Sequence, residues 1–280
     1  MEIALSTHLF VRHRLTTVWL DRVWHAGFPA VEIFCARQHI DYQDKAQITE
    51  LGHWFRDAQL TVRSLHAPMY TDEVWGRSGP HAIIDITEPT KGKRIAMVDE
   101  IKRALEIAEY VPFRYLIQHL GVRSQEWDER RVDSAFTSLD ELRVFAQQRG
   151  VELLLENTPN ELSSATRLNE FLNMTHLKLG YCFDAGHAHM ATGVESEFEL
   201  MADRIRSTHL HDNQGQDDDH LFPGKGTIDW RKTMRLLARR NDQYPLLLEL
   251  REVPEMAHPI EEAKRTMDQL IKYTTEEYEQ

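Results

Sequence analysis

Six apolar runs in this chain end on residues that bind metal ions or carry protons. VRSLHAP carries His66, YLIQHLG carries His119, VELLLEN carries Glu156 and PLLLELR carries Glu249; YCFDAGHAH adds Asp184 and His187, and STHLHDN adds His209 and His211. A strand buried on both faces tolerates an ionisable group only at its end, where the chain leaves the core and water or a metal satisfies the charge. Six strands doing so at one end describe a metal-centred site at the mouth of a barrel. Carboxylates mixed with imidazoles suit Zn, Mn, Co or Fe better than Mg, which prefers oxygen alone. Glu156, Asp184, His209 and Glu249 make one compact set of three carboxylates and an imidazole. His66 and His119 would hold a second ion beside Glu156, and His187 with Asp218 and His220 a third; the Asp-x-His spacing in DDDHLFPGKG puts two of those ligands on one turn.

Each residue also has a plainer reading. Glu156 and Glu249 could be strand-end carboxylates paired with a Lys or Arg, and His66 and His119 core histidines donating to carbonyls. QGQDDDH could be a solvated acidic loop. His211 and Arg251 share the inward parity of the ligands one layer further out, which makes them candidate substrate contacts. Lys225, between Gly224 and Gly226, belongs to a turn suited to a phosphate or sugar hydroxyl, although a tight turn into the next helix explains it equally well. His189, Asp212 and Glu32 are weaker candidates. His13, His25, His39, His53, His81, His176 and His258 read as surface or packing residues.

The elements that must position this set alternate from end to end, with no linker or repeat. Strand-like runs cover about 2–6, 30–35, 61–67, 115–120, 151–156, 178–184, 206–211 and 246–251. Helical periodicity covers about 17–27, 44–58, 92–110, 126–149, 163–174, 195–205, 229–240 and 259–275. Gly27 and Gly150 read as helix C-caps, and Asp229 and Pro259 as helix starts. Eight β-then-α units with runs such as LLLEL predict an α/β protein, a single (β/α)8 TIM barrel over residues 1–280. A doubly wound open sheet is the runner-up, but it would want a glycine-rich first turn. A loop from Met69 to Lys91, with Trp75, Gly79, Pro80 and Pro89, is long enough to cover the site.

The chain's 280 residues suit one such barrel, and 41% hydrophobic residues with 6 Trp suffice for its core. The first residues, MEIALSTHLF, lack the features of a signal peptide, and no apolar stretch approaches the ~18 residues of a membrane span. Two cysteines make a disulfide framework implausible, so a cytoplasmic location is expected. A net charge of -12 disfavours a nucleic-acid partner without removing it, since a local basic patch can sit on an acidic protein.

SLHAP, IQHLG, LLLENTPN, CFDAGHAH, HLHDNQGQDDDHLFPGKGTIDW and LLLELR, taken in order, resemble the xylose-isomerase-like barrel superfamily, which also contains the apurinic-site endonucleases (AP endonuclease family 2). The resemblance runs over nearly the whole chain, and HLHDN followed by HxxxGxG is its most diagnostic part. The sugar isomerase and epimerase branch implies one divalent ion on Glu156, Asp184, His209 and Glu249. It also implies Glu156 and Glu249 as catalytic acid and base and His187 as a substrate contact. The endonuclease branch implies three zincs on His66, His119, Glu156, Asp184, His187, His209, Asp218, His220 and Glu249. The chain departs from the endonuclease pattern in DAGHAHMATG and at His211, which stands where that branch has asparagine. It departs from the ketose epimerases at Gly215, where an arginine is expected.

The expected function is a metal-dependent isomerase or epimerase of a small sugar, sugar phosphate or sugar-derived acid, working by proton abstraction and a metal-stabilised enediolate. One to three divalent ions per chain are expected, Zn or Mn, with Co also suited. The alternative is a three-zinc phosphoester hydrolase acting on abasic DNA or a small phosphoester. A barrel without catalysis would show some strand-end ligands replaced by apolar residues, and none is. The expected partner is a sugar-like small molecule, with no membrane; a homo-oligomer stays open.

Overall fold

The computed structural model describes residues 2–240 and 242–275. Eight strands alternate with helices, beginning with β1 (Ile3–Ser6), α1 (Thr17–His25), β2 (Ala30–Phe34), α2 (Lys45–Asp57), β3 (Thr61–His66), α3 (Lys91–Leu105), β4 (Tyr115–Gln118) and α4 (Glu129–Gln147). They continue with β5 (Glu152–Glu156), α5 (Ala165–Met174), β6 (Gly180–Asp184), α6 (Ala185–Met190), α7 (Val194–Met201), β7 (Ile205–His209), α8 (Trp230–Ala238), β8 (Leu246–Leu248) and α9 (Pro259–Tyr273). The helix starts are written in the sequence. The side chains of Asp44, Asp128, Ser164 and Asp229 each accept a first-turn backbone N–H of α2, α4, α5 and α8, filling donors the helix leaves open. Gly27 and Gly150 take positive φ values of 98° and 73° just past α1 and α4, as expected of C-cap glycines.

The strands are parallel and hydrogen-bonded in the order β7-β6-β5-β4-β3-β2-β1-β8. The seam between β7 and β8 closes through a Leu210–Leu248 bridge and the Thr208 hydroxyl, which donates to the Pro245 carbonyl at 2.8 Å. This is the near-closed barrel that eight βα units predict.

Side-chain parity divides the interior. Leu5, Val31, Ile33, Leu65, Leu116, Leu153, Leu155, Phe183 and Leu248 join one large core with residues of the helices. Their neighbours of opposite parity form two small apolar clusters inside the barrel: Tyr115, Ile117, Leu154 and Cys182, and Ala4, Ala30 and Leu247. Further along the same inward parity, the side chains become Ser6, Glu32, Ser64, His66, Glu156, Asp184, His209 and Glu249, all buried. A floor packed with apolar groups and a titratable layer at the strands' C-terminal ends is the distribution a catalytic (β/α)8 barrel needs.

Three differences from the sequence reading bear on the site. The strands stop earlier than the apolar runs suggest, so His119, His211 and Glu249 stand just past β4, β7 and β8. The segment after β6 contains an extra short helix, α6, capped by Asp184 itself, whose side chain accepts the His187 N–H at 2.6 Å. The helix expected over 195–205 ends at Met201, since β7 already begins at Ile205. The 69–91 loop folds back on itself through a Tyr70–Ile83 bridge. No helix among the described residues is long and apolar enough to cross a membrane.

Candidate metal centre

The strand ends bring all nine residues of the largest ligand set into one contiguous cluster. At its middle, His209 Nδ1 lies 3.2 Å from Glu156 Oε1, 3.4 Å from Glu249 Oε2 and 3.8 Å from Asp184 Oδ2. The other ring nitrogen, Nε2, is 3.1 Å from Glu32 Oε1. Glu32 is wholly buried and also accepts from the hydroxyls of Ser64 (2.7 Å) and Ser6 (3.3 Å). It therefore takes the Nε2 proton and leaves Nδ1 as the nitrogen that faces the three carboxylates.

On one side of Glu156, His66 donates its Nδ1 proton to the Ala67 carbonyl at 2.9 Å, which frees Nε2. That atom is 3.3 Å from His119 Nε2 and 3.6 Å from Glu156 Oε2, and His119 Nε2 is 3.1 Å from the same oxygen. On the other side, His187 donates from Nδ1 to the Asn157 carbonyl at 2.9 Å and points Nε2 at Asp218 Oδ2, 3.2 Å away. His220 Nε2 reaches the same oxygen at 3.2 Å. His211 enters this third group: its Nε2 is 3.1 Å from Asp184 Oδ2 and 3.6 Å from Asp218 Oδ1, and its ring stacks on His220 at 4.1 Å. Its place depends on Gly186, where a Cβ would come within 2.0 Å of the His211 ring. His211 is wholly buried, so its contacts are with ligand candidates and not with the open cavity.

The arrangement suits cations. Glu156 Oε1, Glu249 Oε1, Asp218 Oδ1, His209 Nδ1 and His211 Nδ1 are buried without hydrogen-bond partners among the described residues, a costly state for polar atoms that a bound ion would relieve. Two imidazole Nε2 atoms 3.3 Å apart, with the other nitrogen of His66 already donating, also want a proton or a metal between them. The ligand atoms of Glu156, Asp184, His209 and Glu249 lie within 4.8 Å of one another, as do those of His66, His119 and Glu156 and of His211, Asp218 and His220. Burial alone would push the Glu156 carboxyl up, but the His209 and His119 rings outweigh it and hold the group well below its ordinary range. Burial likewise opposes charge on His187 and His209, yet the facing acidic groups raise both well above the usual imidazole range, and His220 rises to about 9 beside Asp218. Ion binding would displace these protons. Burial raises the thiol of Cys182, behind His209, and Cys35 is buried and free as well.

A cavity opens over the cluster, lined in part by His8, Arg12, Phe34, Trp75, Arg251 and Glu252. Arg251 is thus brought to the site, and the 69–91 loop contributes a wall through Met69 and Trp75. Lys225 is not: it lines a separate cavity with Trp230, Arg265 and Tyr273. Its turn is held by Asp212, which accepts from the Gly224 N–H and Trp230 Nε1 at 2.8 Å each, so the tight-turn reading accounts for those glycines. Two residues of the site carried little sequence signal. Glu32 lies in mid-strand AVEIF, 177 positions from the histidine it bonds. His8 is buried past β1, donates to the Leu250 carbonyl at 2.9 Å and packs 4.6 Å from the His220 ring. The alternation from Ser6 to His8 was the available clue.

A family model described as a xylose isomerase-like TIM barrel matches residues 20–273. Among curated proteins, the chain is 29% identical over 168 residues to the uncharacterized protein y4fM of Sinorhizobium fredii, covering 56% of this chain and 53% of that one. It is 31% identical over 109 residues to fructoselysine 3-epimerase of Escherichia coli O157:H7, covering 37% of this chain and 40% of that one. A probable endonuclease 4 of Haloquadratum walsbyi is 23% identical over 233 residues, covering 74% and 73%. The chain therefore spans about half or less of the length of the first two relatives. In fold it is similar to a solved D-tagatose 3-epimerase-like protein, with a TM-score of 0.78 and 23% identity over 98% of each chain. A Thermus thermophilus protein soaked with ZnCl2 gives a TM-score of 0.72 and 21% identity over 99% of this chain and 100% of that one.

Proposed function

The chain belongs to the xylose isomerase-like TIM barrel family, and from that footing we propose that it is a divalent-metal-dependent isomerase or epimerase of a small sugar, sugar phosphate or sugar-derived acid. The observation that carries the reading is the pair of buried strand-end carboxylates, Glu156 and Glu249. They converge on His209 Nδ1, and each keeps one oxygen without a partner. A divalent ion held by Glu156, Asp184, His209 and Glu249 would supply Lewis acidity to adjacent carbonyl and hydroxyl oxygens and so raise the acidity of the hydrogen on the carbon between them. One carboxylate then removes that proton and keeps it, while the other, which must start protonated, gives its own proton to the opposite face or to the neighbouring atom. Glu156, held deprotonated by the surrounding imidazoles, is ready to accept. Placed proton transfer of this kind contributes about 100- to 10,000-fold in rate. Arg251, Arg12 and His8 at the cavity wall are placed to hold the remaining polar groups of the substrate.

The similarity to fructoselysine 3-epimerase supports this reading and suggests the substrates to try: ketoses and their amine conjugates. The experiment is exchange of carbon-bound hydrogen in D2O, followed by NMR, with metal-replete protein. Exchange next to the carbonyl that disappears in Glu156→Gln, which removes the proton acceptor, is the expected result; exchange that survives in both Glu156→Gln and Glu249→Gln would overturn the assignment.

One observation favours a second reading. The cluster also contains the His66–His119–Glu156 and His187–Asp218–His220 groups, enough for three ions and for hydrolysis of a phosphoester, as the similarity to a probable endonuclease 4 suggests. The net charge of -12, and a cavity whose Arg12 and Arg251 are outnumbered by Glu156, Asp218, Glu249 and Glu252, favour a small substrate over DNA. Release of nitrophenol from bis(4-nitrophenyl) phosphate by the zinc-loaded protein, without any hydrogen exchange, would move the assignment to hydrolysis.

A further inference from the structure

The cavity over the cluster has a second arm with different chemistry. It shares His66, Met69, His119, His187 and Asp218 with the polar part, then runs between the loops that follow β3, β4, β5 and β6. Its walls there are Met69, Tyr70, Ile83, Ile84, Val122 and Met190. The polar groups at its edge are nearly all engaged. Asn160 donates to the Leu120 carbonyl and the Thr158 hydroxyl and accepts from the Leu162 and Ser163 amides. Thr158 also pairs with the Ser163 hydroxyl, and the Arg123 guanidinium is held by Asp217. Among the described residues, and apart from Asp218 of the metal cluster, whose Oδ1 is also unpartnered, the exception is Gln118. Only 4% exposed, it donates Nε2 to the His119 carbonyl at 2.8 Å, and its Oε1 has no partner.

A polyhydroxylated chain does not belong in such an arm, because beyond the one hydroxyl that Gln118 can accept from, those taken from water would lack partners. An apolar group does. The open space, counting the stretch shared with the cluster, is about 180 Å³, and cavities of about 150 Å³ lined by aliphatic and aromatic side chains hold a benzene ring. We propose that this arm is a subsite for an apolar substituent of about one ring's size, bearing one N–H or O–H for Gln118 Oε1 and joined to the polar part that reaches the carboxylates. The substrate is then a conjugate, a chelating hydroxycarbonyl head with an apolar tail, and not an unsubstituted sugar. This rests on the metal-dependent reading given above.

Two hydroxamates test it without knowledge of the substrate or the reaction. Both chelate metal through the same head, and their affinities for zinc-loaded protein are measured by calorimetry. Acetohydroxamate has no tail to speak of; 3-phenylpropionohydroxamate carries a ring on a short spacer. The expected result is that the phenyl compound binds roughly tenfold tighter or more, and that Val122→Asp and Met190→Glu each abolish that advantage. Scoring the ratio of the two affinities cancels any general loss of metal or fold in a variant, and either variant alone suffices. Equal affinities in the unmodified protein overturn the subsite while leaving the metal centre standing. A phenyl advantage that persists in both variants also overturns it, since the tail then lies elsewhere. Failure of acetohydroxamate to bind the zinc-loaded protein at all overturns the metal reading and the subsite with it.

Discussion

Glu32 offers the sharpest test of how the centre is held. Its carboxylate fixes the proton on His209 Nε2, 3.1 Å away, and is itself fixed by the Ser64 and Ser6 hydroxyls. Burial would raise the Glu32 carboxyl, but His209 outweighs it and holds the group below its ordinary value, so the negative charge is present at neutral pH. That charge makes the ring's other nitrogen more basic and holds the ring so that Nδ1 faces Glu156, Asp184 and Glu249. Glu32→Gln keeps the shape: its carbonyl can still accept from His209, while its NH2 turns to a serine hydroxyl. Only the charge is removed. Loss of such a supporting carboxylate lowers metal affinity by about 10- to 100-fold, or about 1.4–2.7 kcal/mol. Glu32→Gln belongs at the low end, and Glu32→Ala, which also unpairs His209 Nε2 and the Ser64 hydroxyl, at the high end. The assay is competition for Zn2+ against a chromophoric chelator at fixed pH, with circular dichroism to verify the fold. If both folded variants bind zinc as tightly as the unmodified chain, Glu32 does not tune the centre and the orientation assigned to His209 is wrong.

Other expectations follow from single features. Glu156→Gln and Glu249→Gln should each lower turnover by about 100-fold or more while the barrel stays folded, measured by hydrogen exchange and thermal unfolding. Gly186→Ala places a methyl group against the His211 ring, so it should cost about 1–3 kcal/mol of stability, read from denaturant unfolding. Removing metal with a chelator should lower the unfolding temperature, because buried carboxylates lose the cation that offsets their repulsion, and restoring zinc should reverse the change. His39 gives a pH effect outside the cluster. Burial pushes its ring down to about 4 from 6.5, against the hydrogen bond it donates to the His13 carbonyl. The unfolded chain therefore binds that proton first, and stability complete above about 6.5 is lost as the pH falls toward about 4, by up to about 3 kcal/mol. His39→Asn keeps a donor for the His13 carbonyl without titrating; the difference between its stability and that of the unmodified chain should grow through that window, and a pH-independent difference would count against the assignment.

The parts of the molecule legible in sequence were those governed by local rules. Parallel strands covered on both faces must be apolar to their ends, so Glu156 after ELLL and Glu249 after LLL stood out, and the barrel followed from eight such runs separated by capped helices. Lys225 illustrates the limit. A GKG turn has the composition of an anion cradle, and only the contacts show that Asp212 consumes the Gly224 N–H. Glu32 illustrates the reverse: a carboxylate in mid-strand is informative only once β7 brings His209 against it. The apolar arm was equally hidden, because it is assembled from loops of four separate βα units, and loop packing leaves no periodicity to read.

The most direct test of the metal centre is elemental analysis of protein purified without chelator or tag metal, saturated with Zn, Mn or Co and freed of excess by gel filtration. At least one tightly held ion per chain is expected, lost when Glu156 and Glu249 are both replaced by Gln. A folded chain that retains no ion after saturation, or that retains it equally without those two carboxylates, would contradict the assignment.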